Sequence, residues 1–76
     1  MGKLSNLSLQ NFRYALRKAG CTKLRTKGGH EMWGRKGLKR SITIQSHVDP
    51  VQERIVRQAI GILGITMEEF LALLDK

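Results

Sequence analysis

A chain of 76 residues with a net charge of +8 can form one small domain, and this length excludes a deep cofactor cleft. Its single cysteine, Cys21, cannot form an internal disulfide, and no apolar stretch reaches the roughly 20 residues that span a bilayer, so a transmembrane role is excluded. No charged start followed by an apolar run and a small-residue cleavage site marks an exported protein. We therefore expect a single domain over residues 1–76, located in the reducing cytoplasm.

The positive charge is concentrated in the first half of the chain. Residues 1–20 carry a net +4 and residues 22–40 a net +6, whereas residues 41–63 are neutral and residues 64–76 carry −2. A basic region of this size on a globular chain is typical of proteins that bind nucleic acid. The alternative is a solvated surface that keeps a small protein in solution, and charge alone does not separate the two.

The first predicted element is an amphipathic helix that begins after Ser8 and ends at Gly20. Serine is a good N-cap, and glycine readily takes the left-handed conformation that closes many helices. Arg13, Arg17 and Lys18 lie on the polar side, and we expect most of them to face water. The apolar residues recur at helical spacing, at Leu9, Phe12, Leu16 and Ala19.

Three short strands follow this helix and are separated by turns that contain glycine. In the third strand Ile42 and Ile44 alternate with polar residues, which predicts one buried and one polar face. The pattern predicts a three-stranded antiparallel meander that needs helices on one face only. The predicted strands cover about residues 21–27, 30–35 and 40–45.

Two helices complete the chain. Asp49-Pro50 is a helix start signal, because aspartate caps free amides and proline is tolerated in the first turn, and Gly64 ends this second helix. Thr66 and Glu69 form a capping box for a short third helix. The predicted architecture is therefore α+β, in the order α-β-β-β-α with a short extra C-terminal helix. The predicted apolar stripes are Val51, Ile55, Ala59, Ile62 and Leu63 in the second helix and Phe70, Leu71 and Leu74 in the third.

The most informative stretch is the basic hairpin around Gly28-Gly29. A glycine pair suits a two-residue hairpin turn, because glycine takes positive φ without steric cost. His30 follows directly, and an imidazole can give or take a proton near neutral pH. A titratable group beside a phosphate-binding face suggests RNA cleavage. Strict alternation along the preceding strand puts three cations on one face, namely Lys23, Arg25 and Lys27.

Several other residues have two interpretations each. His47 could supply a second acid or base group, although an exposed loop histidine is the commoner outcome. Trp33 and Tyr14 either stack on an unpaired base or, as we expect, pack in the core, and Cys21 is expected to be a small buried side chain. Two histidines and one cysteine at unrelated spacings form no zinc pattern, and we expect no metal or cofactor. A charge run that either binds a nucleic-acid backbone or forms a solvated loop comprises Arg35, Lys36, Lys39 and Arg40.

The order of these features resembles the HicA family of toxin mRNA interferases, whose fold is similar to the double-stranded-RNA-binding domain. The resemblance covers nearly the whole chain, and it rests on the order and spacing of the motifs together. The family commonly has Gly-Ser-His at the hairpin, so His30 matches the catalytic position and Gly29 replaces the usual serine. The matching stretches are Ala19-Gly20, residues 23–30, a third strand ending near His47, Arg57-Gln58-Ala59 and residues 64–71.

The resemblance implies an endoribonuclease that cleaves mRNA, with His30 as general acid or base and a HicB-type antitoxin as inhibitory partner. Because RNA carries its own nucleophile in the 2′-hydroxyl, such an enzyme needs no metal. The basic strand and the two hairpin glycines would contact the RNA. One alternative is a non-catalytic RNA- or DNA-binding module, in which a His30 substitution is tolerated. A weaker alternative is an interaction subunit whose charge serves only an acidic protein partner.

Overall fold

The computed structural model describes residues 6–75, in which helices pack on one face of a three-stranded sheet. The strands are antiparallel and lie in the order β1-β2-β3, as the meander prediction requires. The predicted α+β class and element order are confirmed. The elements are α1 Leu9–Lys18, β1 Thr22–Lys27, β2 His30–Gly34, β3 Ile42–Gln45, α2 Glu53–Leu63 and α3 Met67–Leu74.

Local capping signals determine most of the helix ends. The Ser8 hydroxyl accepts a hydrogen bond from the Asn11 amide at 3.1 Å and begins α1. Thr66 and Glu69 form the reciprocal capping box that begins α3. Gly64 closes α2 in the left-handed conformation, at a φ of 70°. These predicted ends are confirmed, because each one depends on residues within a few positions of one another.

The start of α2 differs from the prediction. The helix begins at Glu53, with Gln52 at the N-cap position, so Asp49-Pro50 does not open it. The Asp49 carboxylate instead accepts a hydrogen bond from the amide of Leu9, the first residue of α1, at 3.0 Å. Aspartate does cap a free helical amide here, but that amide is 40 residues earlier in the chain.

The core lies between the sheet and the helices. Trp33, Ile42 and Ile44 project from β2 and β3 into it, and the rings of Phe12 and Phe70 join α1 to α3 with their centroids 6.0 Å apart. The buried face of α2 is rotated from the predicted stripe, because packing against β3 decides which side of the helix turns inward. Its buried residues are Val56, Ala59 and Leu63, while Ile55 and Ile62 are only partly buried.

Strand β1 forms an edge of the sheet, and all six of its residues are exposed. The helices therefore cover β2 and β3 rather than the whole sheet. An exposed edge invites pairing with other chains, and lysines and bulges are two features that oppose it. Strand β1 has both, since it carries Lys23 and Lys27 and its register with β2 shifts between Lys23 and Arg25.

Candidate active site

His30 begins β2 and lies on the sheet face that the described helices leave uncovered. Its backbone is paired with Lys27 on β1 and with Gln45 on β3, and its side chain is exposed. Successive side chains of a strand point to opposite faces. Because Trp33 is buried among the helices, His30 and the half-buried Met32 share the other face, which we call the outer face. His30 is thus accessible to a ligand that approaches the outer face.

The bulge in β1 changes which cations lie beside His30. The register pairs Lys23 with Trp33 and Arg25 with Met32, and it shifts between these two pairs. Since a bulge inserts one residue into a strand, it resets the alternation of faces. Arg25 donates from Nε to Sδ of Met32 at 3.3 Å, whereas Lys23 is paired with a core residue. The prediction that all three cations share one face is therefore wrong for Lys23, and Arg25 and Lys27 remain on the outer face.

The two hairpin glycines are required for different reasons. Gly28 has a φ of 59°, in the left-handed region that the turn needs. Gly29 is not among the glycines with positive φ, so the prediction that the pair serves the turn by positive φ holds only for Gly28. A Cβ on Gly29 would lie 2.8 Å from both Cε1 and Nδ1 of His47. Gly29 therefore leaves space that the His47 imidazole occupies.

His47 reaches the hairpin because the turn after β3 folds back onto it. The Ser46 amide donates to the Gly29 carbonyl at 2.8 Å, and the Val48 amide donates to the Gln45 carbonyl at 3.3 Å. These bonds hold the exposed side chain of His47 against the backbone one residue from the other histidine. Of the two alternatives for His47, the structure shows the one in which its loop returns to the hairpin.

The basic residues of the loop between β2 and β3 lie at the far end of the sheet from the hairpin. Strand β2 has five residues, and at about 3.3 Å per residue it separates the two ends by roughly 13 Å. The Arg35 guanidinium donates to the Ala19 carbonyl at the end of α1, which gives this cation a structural role. The loop is thus a second basic surface, separate from the hairpin. Its exposed cations are Arg35, Lys36, Lys39 and Arg40.

A buried ion pair supports the strand that carries His30. The Glu31 carboxylate is 3% exposed and accepts two hydrogen bonds from the Arg13 guanidinium and one from Nε1 of Trp33 at 3.0 Å. These bonds, those from Arg13 foremost, outweigh burial and lower the pKa of Glu31 to about 2. The Arg17 guanidinium lies 5.3 Å from the Trp33 ring centroid. The expectation that the α1 cations mostly face water is therefore wrong for Arg13, and Trp33 is a core residue.

Glu31 predicts a loss of stability in acid. Its pKa is about 2 in the folded protein against an ordinary value of 4.5, so between these values the unfolded chain binds more protons and stability falls as the pH falls. A tenfold change in proton affinity corresponds to about 1.4 kcal/mol, so we expect a loss of about 3 kcal/mol from pH 5 to pH 2. Urea unfolding across this range measures it. Because other carboxyls also titrate there, the reference is Glu31→Gln, and an equal fall in that variant would contradict the assignment.

The remaining titratable candidates contribute no further site. Cys21 is buried, and burial raises the pKa of its thiol, which agrees with the expected packing role. Among residues 6–75, no group of three or more His, Cys, Asp or Glu side chains is arranged to hold a metal ion. Over the same residues, no helix is long and apolar enough to cross a bilayer.

The site is formed by residues from three separate stretches of the chain. Arg25 and Lys27 come from β1, His30 from β2, and His47 from the turn after β3. Comparisons with protein-family models, curated proteins and solved structures found no match to this chain. Its chemistry therefore follows from two exposed histidines and neighbouring cations, which can transfer protons and bind phosphate.

Proposed function

We propose that this protein is an endoribonuclease that cleaves single-stranded regions of mRNA, with His30 as a general acid or base. The observation that carries the proposal is the position of His30, exposed on the outer face and paired across the ladder with Lys27. A cation at this position can hold a phosphate against the imidazole. Arg25, on the same face, extends the contact along β1.

The chemistry asks little of the protein, because RNA supplies its own nucleophile. The 2′-hydroxyl attacks the adjacent phosphorus, and the enzyme has to orient the phosphate, transfer protons and stabilise the additional negative charge. A positioned imidazole contributes typically about 10²- to 10⁴-fold through proton transfer. A site with no deep pocket is therefore sufficient for a slow nuclease.

The architecture supports the same proposal. The order α1-β1-β2-β3-α2, with the antiparallel sheet covered on one side, is the order that the HicA resemblance implies. We propose on this basis that the fold is similar to the double-stranded-RNA-binding domain and that the protein is the toxin of a toxin-antitoxin pair in the cytoplasm. A HicB-type antitoxin would then inhibit it by covering the outer face. Leu24, which is 59% exposed on β1, offers such a partner an apolar contact among the cations.

A cleavage assay with matched substrates tests the proposal. We expect the protein to cut a long single-stranded RNA in the presence of a chelator, leaving a 2′,3′-cyclic phosphate on one fragment and a 5′-hydroxyl on the other. DNA of the same sequence should remain intact, because it lacks the 2′-hydroxyl. Salt-dependent binding to both polymers without cleavage of either would instead indicate a nucleic-acid-binding module.

A further inference from the structure

We propose that His47 is the second proton-transfer group of this site and that position 29 is glycine in order to admit its imidazole. The inference rests on the ribonuclease function proposed above and extends it to a second residue. Gly29 lacks the positive φ that would explain a glycine by backbone conformation, and a Cβ there would lie 2.8 Å from two atoms of the His47 ring. The space at Gly29 is thus specifically filled by an imidazole.

The contact is held by the backbone. The hydrogen bond from the Ser46 amide to the Gly29 carbonyl continues the pairing of β2 with β3 by one residue, so the turn that carries His47 is attached to the strand that carries His30. Both histidines are exposed. A phosphate bound at the end of the hairpin would therefore meet imidazoles from two different elements.

Two imidazoles complete the proton balance of RNA cleavage. One, unprotonated, takes the proton of the 2′-hydroxyl as that oxygen forms a bond to phosphorus. The other, protonated, gives its proton to the 5′ oxygen as the bond between phosphorus and this oxygen breaks. The products are a cyclic phosphate and a free hydroxyl, no other reactant is consumed, and exchange with water restores both imidazoles. Lys27 neutralises charge on the pentacovalent phosphorus.

The charged groups around the pair leave both imidazoles able to act. Lys27 is the cation paired with His30 across the ladder. Asp49 lies two residues beyond His47, and its carboxylate accepts the Leu9 amide at the start of α1. Glu31 faces the helices and is bound by Arg13.

The pH dependence of cleavage tests the role of His47. With one group acting unprotonated and the other protonated, the native rate should be bell-shaped against pH. We expect His47→Asn to lose one limb of this profile and to lower the rate about 10²-fold or more. Gly29→Ala, which keeps both histidines but displaces one ring, should lower the rate in the same direction. The matched control is Gly61→Ala in α2, where a Cβ meets nothing within 4 Å and should leave the profile unchanged.

A double variant separates this role from damage to the hairpin. In a His47→Ala background the ring is absent, so adding Gly29→Ala should cause no further loss of rate and no further fall in Tm. A fall in Tm of the same size with and without the ring would overturn the steric part of the proposal. Two limbs retained by a folded, active His47→Asn variant would overturn the catalytic part and leave the ribonuclease function standing. Absence of cleavage by the native protein would overturn both.

Discussion

Replacing His30 with alanine is expected to lower the rate of RNA cleavage by about 10²- to 10⁴-fold while leaving the affinity for RNA nearly unchanged. The side chain is exposed and outside the core, so its removal leaves the fold intact. Arg25 and Lys27, which supply the phosphate contacts, remain on the outer face. The substitution thus separates proton transfer from binding.

Single-turnover cleavage and RNA binding at one fixed salt concentration measure the two effects. Thr43→Ala is the matched control, because Thr43 is an exposed residue on β3 whose backbone pairs with Met32 on the same face. It should cleave at the native rate. Native-rate cleavage by His30→Ala would show that another group transfers the proton. Equal loss of binding and cleavage would show that His30 acts mainly as an RNA contact.

Replacing Glu31 with glutamine is expected to reduce the free energy of unfolding by about 3 kcal/mol at neutral pH. Removing one partner of a buried ion pair typically costs about 3 to 5 kcal/mol, because it leaves the other charge uncompensated. The cost here belongs at the lower end, since the Arg13 side chain is 28% exposed and can be partly hydrated. Glutamine keeps an oxygen that can accept the Trp33 hydrogen bond, so the loss reports on the charge.

Urea unfolding at neutral pH measures the loss, and Glu53→Gln is the matched control. The Glu53 carboxylate lies 2.9 Å from the Arg57 guanidinium on the surface of α2, with the two side chains 37% and 55% exposed. Exposed pairs and a charge in the first turn of a helix each contribute about 1 kcal/mol or less. We therefore expect the control to lose much less than Glu31→Gln. Equal losses would contradict a structural role for the buried pair.

Glu31 also illustrates what could have been recognised from the sequence. It is the only acid among the seven cations of residues 22–40, and alternation places it on the same side of its strand as Trp33. An isolated carboxylate on the side of a core tryptophan is a candidate for burial with a partner. The partner itself, Arg13, could not be chosen from the sequence, because it lies 18 residues away in a helix with other cations.

His47 and Gly29 show the same limit at the candidate site. The hairpin motif identified Gly29 as a turn residue, and its replacement of the serine usual in HicA proteins had no evident cause. The cause is visible only when the turn after β3 is placed against the hairpin, where the imidazole occupies the space of a Cβ. The bulge in β1 is a similar case, since a shift of one residue in pairing is invisible to a period-2 pattern.

The sequence by itself determined the features that depend on neighbouring residues: the α+β order, the caps at Ser8, Gly64 and Thr66, and the exposed basic hairpin with His30 at its end. Helix capping and alternation act over a few positions, so they can be recognised before the fold is known. Tertiary structure alone decided that Asp49 caps α1, that Arg13 binds Glu31 and that His47 reaches Gly29. Each of these contacts joins residues 18 or more positions apart, and such pairs are selected by packing among many chemically equivalent candidates.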